Sequence, residues 1–241
     1  MASDEAYACA LDEADRKALV DDPDDAPLGE LMDILAEVAQ VVSPDPQSAL
    51  RDADLGDATR LAASSDAETA ALYPQIAKLL GGPPTLLYST PQRGHDVVLL
   101  FASPPIVVVG PELAEHRARS RSDAMAQGGD AELRWKLARI VELSRPRRVF
   151  TVSPSFVRFV ADLDKLHAKL PIVVRRRLTD WSAAAGPLDP AAYVAACQRA
   201  ADRAGLLACG DASVAVAHAP HLARMAASPR YLVVRRKLRR T

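Results

Sequence analysis

Two histidines have a spacing that could serve a metal ion. His218 and His221 are three residues apart, so on a helix both imidazoles would project from one face and could bind one ion. Pro220 lies between them and is expected to begin a new helix, and Asp211 is an acid that such a site could recruit. We favour surface or capping roles for the two histidines and keep a metal site as the alternative. The other histidines have no partner at metal-binding spacing: His95, His116 and His167.

Other familiar catalytic motifs are missing from the sequence. The pairs Gly81-Gly82 and Gly128-Gly129 lack the spacing and the Lys-Ser/Thr of a phosphate-binding loop, and no G-x-S-x-G elbow occurs. The cysteines are odd in number and include no C-x-x-C pair: Cys9, Cys197 and Cys209. This usage favours a reducing, cytoplasmic compartment and argues against a disulfide framework or a cysteine-based zinc site.

Two segments are more informative. Residues 130–143, DAELRWKLARIVEL, follow an apolar strand and form a strongly amphipathic helical pattern. The apolar side chains on one face are Leu133, Leu137, Ile140 and Val141. Residues 198–211, QRAADRAGLLACGD, lead into an alanine-rich stretch. Both segments are therefore expected to be helices that pack against the core.

Together the two segments resemble the zinc metallopeptidases of the HtpX and CAAX prenyl protease group. In that family a strand leads to a helix that reads approximately E-L-x-x-V-L-x-H-E-x-x-H, and a later E-x-x-A-D-R supplies the third zinc ligand. Here Glu132-Leu133 and Leu137 match the first pattern, and residues 201–208, ADRAGLLA, match the later one almost completely. The resemblance covers about residues 85–225 and implies a zincin-like core.

The family's ligands do not carry over to this chain. The two histidine ligands fall on Arg139 and Leu143, the catalytic glutamate falls on Ile140, and the third ligand falls on Gln198. A catalytic zinc needs three protein donors and a carboxylate as general base. Arginine stays protonated, and isoleucine and leucine have no donor atom. The resemblance therefore implies no metal, no cofactor and no peptidase activity.

Arg139 brings a positive charge to the position of a metal ligand. If the old cleft survives, this cation would pair with Asp202 or Glu142 and hold the two helices together. Glu142 falls at an x position of the family's pattern, about 100° per residue around the helix from a ligand position. The alternative is that Arg139 faces the solvent.

The elements around these residues predict a predominantly helical α+β domain. Three short apolar runs at 85–88, 97–101 and 106–109 predict a small, antiparallel sheet. Apolar periodicity predicts a helix from Pro27 to Ser43. The polar residues 44–65 are compatible with a loop, a short helix or a domain boundary. Residues 1–64 are interpreted as an acidic helical segment and residues 65–241 as the zincin-like domain. Glycines and prolines delimit further helices at 67–80, 111–117, 130–145, 153–167, 170–184, 188–205, 210–225 and 228–239.

Composition excludes several broad classes. The chain has 241 residues with 49 % hydrophobic and 25 % charged residues, which is typical of a globular protein rather than a disordered or disulfide-scaffold chain. The net charge of −1 conceals an asymmetry, because residues 1–60 carry 16 acids against 4 bases, and the remainder carries 15 acids against 26 bases. We favour mutual attraction of the two parts. The alternative is a basic surface for an anionic partner, masked by the acidic segment.

The sequence thus predicts a non-catalytic pseudopeptidase that acts as a protein-interaction or scaffold module. Its alanine and arginine usage is typical of a GC-rich bacterial genome. A protein partner is expected and a membrane is not, since no apolar run is long enough to span one. Nucleic-acid binding is disfavoured, because aromatic residues make up only 5 % of the chain and do not interleave with the basic runs at 147–148, 175–177 and 235–237. The alternatives are a metal-dependent hydrolase rebuilt around His218 and His221, and a binder of anionic partners through the arginine runs.

Overall fold

The computed structural model describes residues 9–62, 68–111, 113, 129–154, 156–163, 165 and 169–239. This part of the chain is predominantly helical, with a small four-stranded sheet, so the expected α+β class is confirmed. The α-helices are α1 (Glu13–Leu19), α2 (Ala26–Ala36), α3 (Ala39–Val42), α4 (Pro46–Asp52), α5 (Glu68–Leu80), α6 (Gly129–Leu143), α7 (Phe156–Ala161), α8 (Ile172–Ala184), α9 (Pro190–Ala208), α10 (Ala212–His218), α11 (Ala223–Ala226) and α12 (Pro229–Arg239). Short 3-10 turns lie at Pro23–Asp25, Val149–Val152 and Pro220–Leu222. None of the helices in these ranges is long and apolar enough to cross a membrane.

The sheet is mixed, and the prediction of an antiparallel sheet is wrong for one pair of strands. Its strands are β1 (Thr59–Arg60), β2 (Leu86–Ser89), β3 (Val97–Leu100) and β4 (Ile106–Val109), in the order β1-β2-β4-β3. The pairs β1–β2 and β3–β4 are antiparallel, whereas β2 and β4 are parallel. All four residues of β4 are buried, so this strand takes a central position beside β2, and β3 is displaced to the edge.

Capping residues explain where several helices begin. Asp45, Asp189 and Asp211 each accept hydrogen bonds from backbone N–H groups in the first turn of α4, α9 and α10. Proline follows Asp45 and Asp189 directly, at a position where its missing N–H costs no hydrogen bond.

Two predicted helices are divided. The stretch predicted as one helix to Ser43 contains α2 and α3, which are separated at Glu37 and Val38. The helix predicted over 210–225 is interrupted at Ala219 and Pro220, because proline has no N–H to continue the helical ladder. The helix predicted over 111–117 lies outside the described residues except at its first positions, and the described helix within 153–167 is α7. His116 and His167 also lie outside the described residues.

The sheet separates two hydrophobic cores. On one face, Val98, Leu100 and Val108 pack with α4 and the residues that follow it. On the other face, Leu99 and Val107 belong to the main core. That main core also contains α6, α9 and side chains from the N-terminal helices, including Leu31 and Leu35 of α2. Residues on both sides of position 64 therefore contribute to one continuous core.

Candidate functional site

The residues singled out by the sequence meet where α6 and α9 cross. Trp135 of α6 packs directly on Gly205 of α9: a Cβ atom built on this glycine would lie 2.7 Å and 2.8 Å from two indole atoms of Trp135. Trp135 is only 7 % exposed. The glycine thus permits a close approach of the two helices that any larger residue would prevent.

Arg139 lies one helical turn after Trp135 and faces the same helix. Its Nε donates to Oδ1 of Asp202 at 2.6 Å, and its Nη2 donates to Oε1 of Gln198 at 2.9 Å. Its guanidinium also lies over the Trp135 ring, 4.7 Å from the centroid. The Arg139 side chain is 28 % exposed and that of Asp202 is 14 % exposed. The expected pairing of Arg139 with Asp202 is therefore present, and Arg139 does not simply face the solvent.

The other two positions on α6 carry no polar group. Leu143 is buried in the main core, and Ile140 is half-buried against it. Leu143 lies one turn beyond Arg139 on the same stripe of the helix. Arg139, Gln198 and Asp202 thus form a polar contact next to apolar side chains. We call these three residues the Arg139 cluster.

Glu142 lies in a different environment. It is fully buried and accepts hydrogen bonds from Arg16 at 2.6 and 2.8 Å and from Arg145 at 3.1 Å, and it also contacts Arg148. Burial, followed by repulsion from Arg145, lowers the pKa of Arg16 to about 9. Arg148 extends this network to Asp25 at 3.1 Å. Glu142 therefore holds the N-terminal segment to α6 and takes no part in the Arg139 cluster.

The two histidines lie beside this cluster but face different carboxylates. His218 stacks on Trp135, with ring centroids 4.5 Å apart, and its Nε2 lies 3.7 Å from Oε1 of Glu132. Nε2 of His221 lies 3.6 Å from Oδ2 of Asp202.

Asp211, the acid predicted as a possible further ligand, instead caps α10. It accepts hydrogen bonds from the backbone N–H and the hydroxyl of Ser213, and these bonds lower the pKa of its carboxyl group. Among the described residues, no group of three histidine, cysteine or acidic side chains is arranged to hold a metal ion.

The neighbouring face of α9 binds the acidic N-terminal segment. Arg199 donates to both carboxylate oxygens of Asp22 at 2.9 Å, and Arg203 lies 3.0 Å from the same carboxylate. Arg203 also donates to the backbone carbonyl of Asp21 at 2.9 Å. The hydrogen bond from Arg199 is the main cause that lowers the pKa of Asp22. These contacts pair acids of the N-terminal part with bases of the remainder, as the interpretation of mutual attraction expects.

Sequence reasoning missed the contacts of Trp135, Glu132 and Lys136. Lys136 lies 2.9 Å from Glu132 and 2.5 Å from Asp96, the residue before β3. The spacing of Trp135 and Arg139, four residues apart on one helix, is the signal that could have placed the tryptophan beside the cluster.

No family model matches this chain, no curated protein matches it, and no solved structure matches it.

Proposed function

We propose that this chain is a non-catalytic relative of zinc metallopeptidases that acts as a protein-interaction or scaffold module. One observation carries the proposal. The guanidinium of Arg139 lies between α6 and α9, bonded to Gln198 and Asp202, at the positions where the resemblance expects the first and third zinc ligands and a nearby aspartate.

The geometry supports this assignment in two ways. Two ligands of one ion must lie side by side, and Arg139 and Gln198 are in direct contact although they are 59 residues apart. A metal-binding histidine commonly donates its second N–H to a carboxylate, and Asp202 stands in this relation to Arg139. An arginine at this place supplies the positive charge that Asp202 requires, without any lone pair for a metal.

Two other functions have less support. A hydrolase rebuilt around His218 and His221 would need both imidazoles to converge on one ion, whereas each lies near a different carboxylate. A binder of anionic partners would need free arginines. Several cations of the three runs are instead paired within the chain. Arg147 and Arg148 pair with acids of residues 21–33, Arg177 pairs with Glu37, and Lys237 pairs with Asp12 and Asp15.

The experiment restores the lost ligands in one variant, Arg139→His, Ile140→Glu, Leu143→His and Gln198→Glu. Zinc content of tag-free protein and hydrolysis of a fluorogenic peptide library, with and without a chelator, are measured for this variant and for the unchanged chain. We expect no stoichiometric zinc and no chelator-sensitive hydrolysis in the unchanged chain. We expect about one zinc per chain in the restored variant.

A matched variant carries His218→Ala and His221→Ala together with the same four changes. If the restored site holds the metal, this variant keeps its zinc. Stoichiometric zinc or chelator-sensitive hydrolysis in the unchanged chain would overturn the proposal. If the fourfold variant does not fold, the double variant Arg139→His and Gln198→Glu is titrated with Co²⁺. Absence of the visible absorption bands of protein-bound Co²⁺ counts against the view that residues 139 and 198 can share one metal ion.

A further inference from the structure

The edge of the sheet at β3 borders a groove of about 580 Å³. One wall comes from the α3–α4 region and includes Val42, Ala49 and Ala53. The opposite wall comes from the turn at Val149–Val152 and from α7. Its half-buried members are Val152 and Phe159, and Phe150 and Phe156, which also line it, are at most 2 % exposed. Ala49 and Ala53 pack with the core on one face of the sheet, and Phe150 and Phe156 belong to the core on the other face, so the groove lies between the two layers.

Backbone N–H and C=O groups of β3 point into this groove at every second residue. The amide of Gly110 donates to the carbonyl of Asp96 at 2.9 Å, and the antiparallel register pairs Val98 with Val108 and Leu100 with Ile106. In an antiparallel ladder, hydrogen-bonded pairs alternate with pairs whose amide groups point outward. The N–H and C=O groups of Val97 and Leu99 therefore point away from β4. In the part of the chain that the structure describes, no strand lies on that side.

The lining shows that the groove follows the strand edge rather than one face of the sheet. Four consecutive residues, 98–101, contribute to it, although successive side chains of a strand point to opposite faces. An extended segment placed here would direct alternate side chains toward Ala53 on one side and toward Val152 and Phe159 on the other. The groove thus has the form of a missing edge strand.

We propose that the groove binds a short extended segment of a partner protein, which adds a fifth strand beside β3. The segment is apolar at successive positions, because both walls are apolar, and it carries a lysine or arginine at the end that lies near Asp52. This proposal deepens the proposed function by naming the class of partner, and it rests on the interpretation of the chain as an interaction module.

Size and charge both favour this occupant. A four-residue edge is about 13 Å long, which suits a short peptide better than the face of a second globular protein. Asp52 is exposed and is the charged residue among those that line the groove, so it is complementary to a cation. No residue of the Arg139 cluster lines the groove. In such strand addition, main-chain hydrogen bonds supply affinity and side-chain pockets supply specificity.

The test uses a panel of fluorescein-labelled hexapeptides with valine, isoleucine or phenylalanine at the four central positions and lysine at one end. Binding to the full chain is measured by fluorescence anisotropy. The control for each binding peptide is an ester analogue, in which oxygen replaces the backbone N–H at the central residues. We expect binding in the micromolar range and a loss of at least tenfold in the ester analogue, because the outward carbonyls of β3 lose their donors.

Two variants locate the site on the protein. Ala53→Glu places a charge on one wall and should weaken binding at least tenfold, whereas Ala191→Glu on the exposed face of α9 should not. Asp52→Lys should weaken the lysine-ended peptides and leave peptides without lysine unchanged, so the site remains testable if Ala53→Glu does not fold.

Several results would overturn the proposal. They are a panel without any binder below 1 mM, ester analogues that bind as well as the peptides, and equal binding by the Ala53→Glu and Ala191→Glu proteins. A dimer in sedimentation that Ala53→Glu dissociates would assign the groove to a second copy instead. None of these results depends on zinc or hydrolysis, so failure here is distinguishable from failure of the proposed function.

Discussion

Arg139 and Asp202 join the two longest helices of the described chain through a 2.6 Å bond between Nε and Oδ1. Both side chains are mostly buried, and Asp202 also lies 3.6 Å from His221. A carboxylate in this position would remain unpaired toward α6 if the arginine were removed. Substitutions of these two residues therefore test how much the bond contributes to the packing of α6 on α9.

We expect Arg139→Met and Asp202→Asn to be coupled in stability. Each change alone leaves one partner without its hydrogen bond, whereas the double change removes both. A double-mutant cycle from urea unfolding should give a coupling energy of about 0.5–3 kcal/mol. Additivity within roughly 0.3 kcal/mol would show that the observed bond contributes nothing to stability.

Gly205→Ala is expected to destabilise the protein, although alanine normally favours a helix by about 1 kcal/mol over glycine. The new methyl group would meet the Trp135 ring at 2.7 Å, and overpacking of this kind costs about 1–3 kcal/mol. Thermal or urea unfolding measures the effect. The same glycine change in a Trp135→Leu background should lose most of its cost, and an equal cost in both backgrounds would contradict the close contact.

Glu142→Gln is expected to be far more costly than a surface change. It leaves Arg16 and Arg148 buried without their shared anion, and breaking a buried pair in this way costs roughly 3–5 kcal/mol. The matched control is Glu37→Gln, which breaks an exposed pair with Arg177 and should cost less than about 1 kcal/mol. Equal effects of the two changes in urea unfolding would argue against the buried network.

Acid should weaken the attachment of the N-terminal segment. The folded-state pKa of Asp22 is lowered, chiefly by the hydrogen bond from Arg199, so its contribution is present above its usual pKa of 3.8 and is lost as the pH falls toward the lowered value. Asp22→Asn should therefore flatten the decline of unfolding free energy between about pH 5 and pH 2.

Asp33 offers a control of opposite sign. Partial desolvation is the main cause that raises the pKa of its carboxyl group, so its contribution to stability is present at low pH and is lost as the pH rises through the raised value. Asp33→Asn should steepen the acid decline slightly. If Asp22→Asn leaves the pH profile unchanged, the lowered pKa of Asp22 has no role in stability.

Much of this fold follows from local sequence patterns. Glycines and prolines mark most helix ends, and short apolar or β-branched runs mark β2, β3 and β4, because these residue types act on the backbone locally. The parallel pairing of β2 with β4 was not predictable in this way, since it depends on which strand the surrounding helices bury most completely.

In the candidate site, too, some contacts could be predicted from the sequence and others could not. The resemblance implied that Arg139 would pair with Asp202 or with Glu142, and the structure shows the pair with Asp202. The burial of Glu142 among arginines could not be predicted, because a sequence shows a charge but not its depth. The contact of Trp135 with Gly205 likewise depends on the crossing of two helices that are far apart in the chain.

The contact between Asp22 and Arg199 also sets an order of events during synthesis. The two residues are 177 positions apart, so a ribosome working at about 5–20 residues per second produces the arginine roughly 10–35 s after the aspartate. Throughout this interval, the leucines of the early helices have no completed surface to pack against. The N-terminal helices can therefore complete their packing and their ion pairs only after α9 has been synthesised.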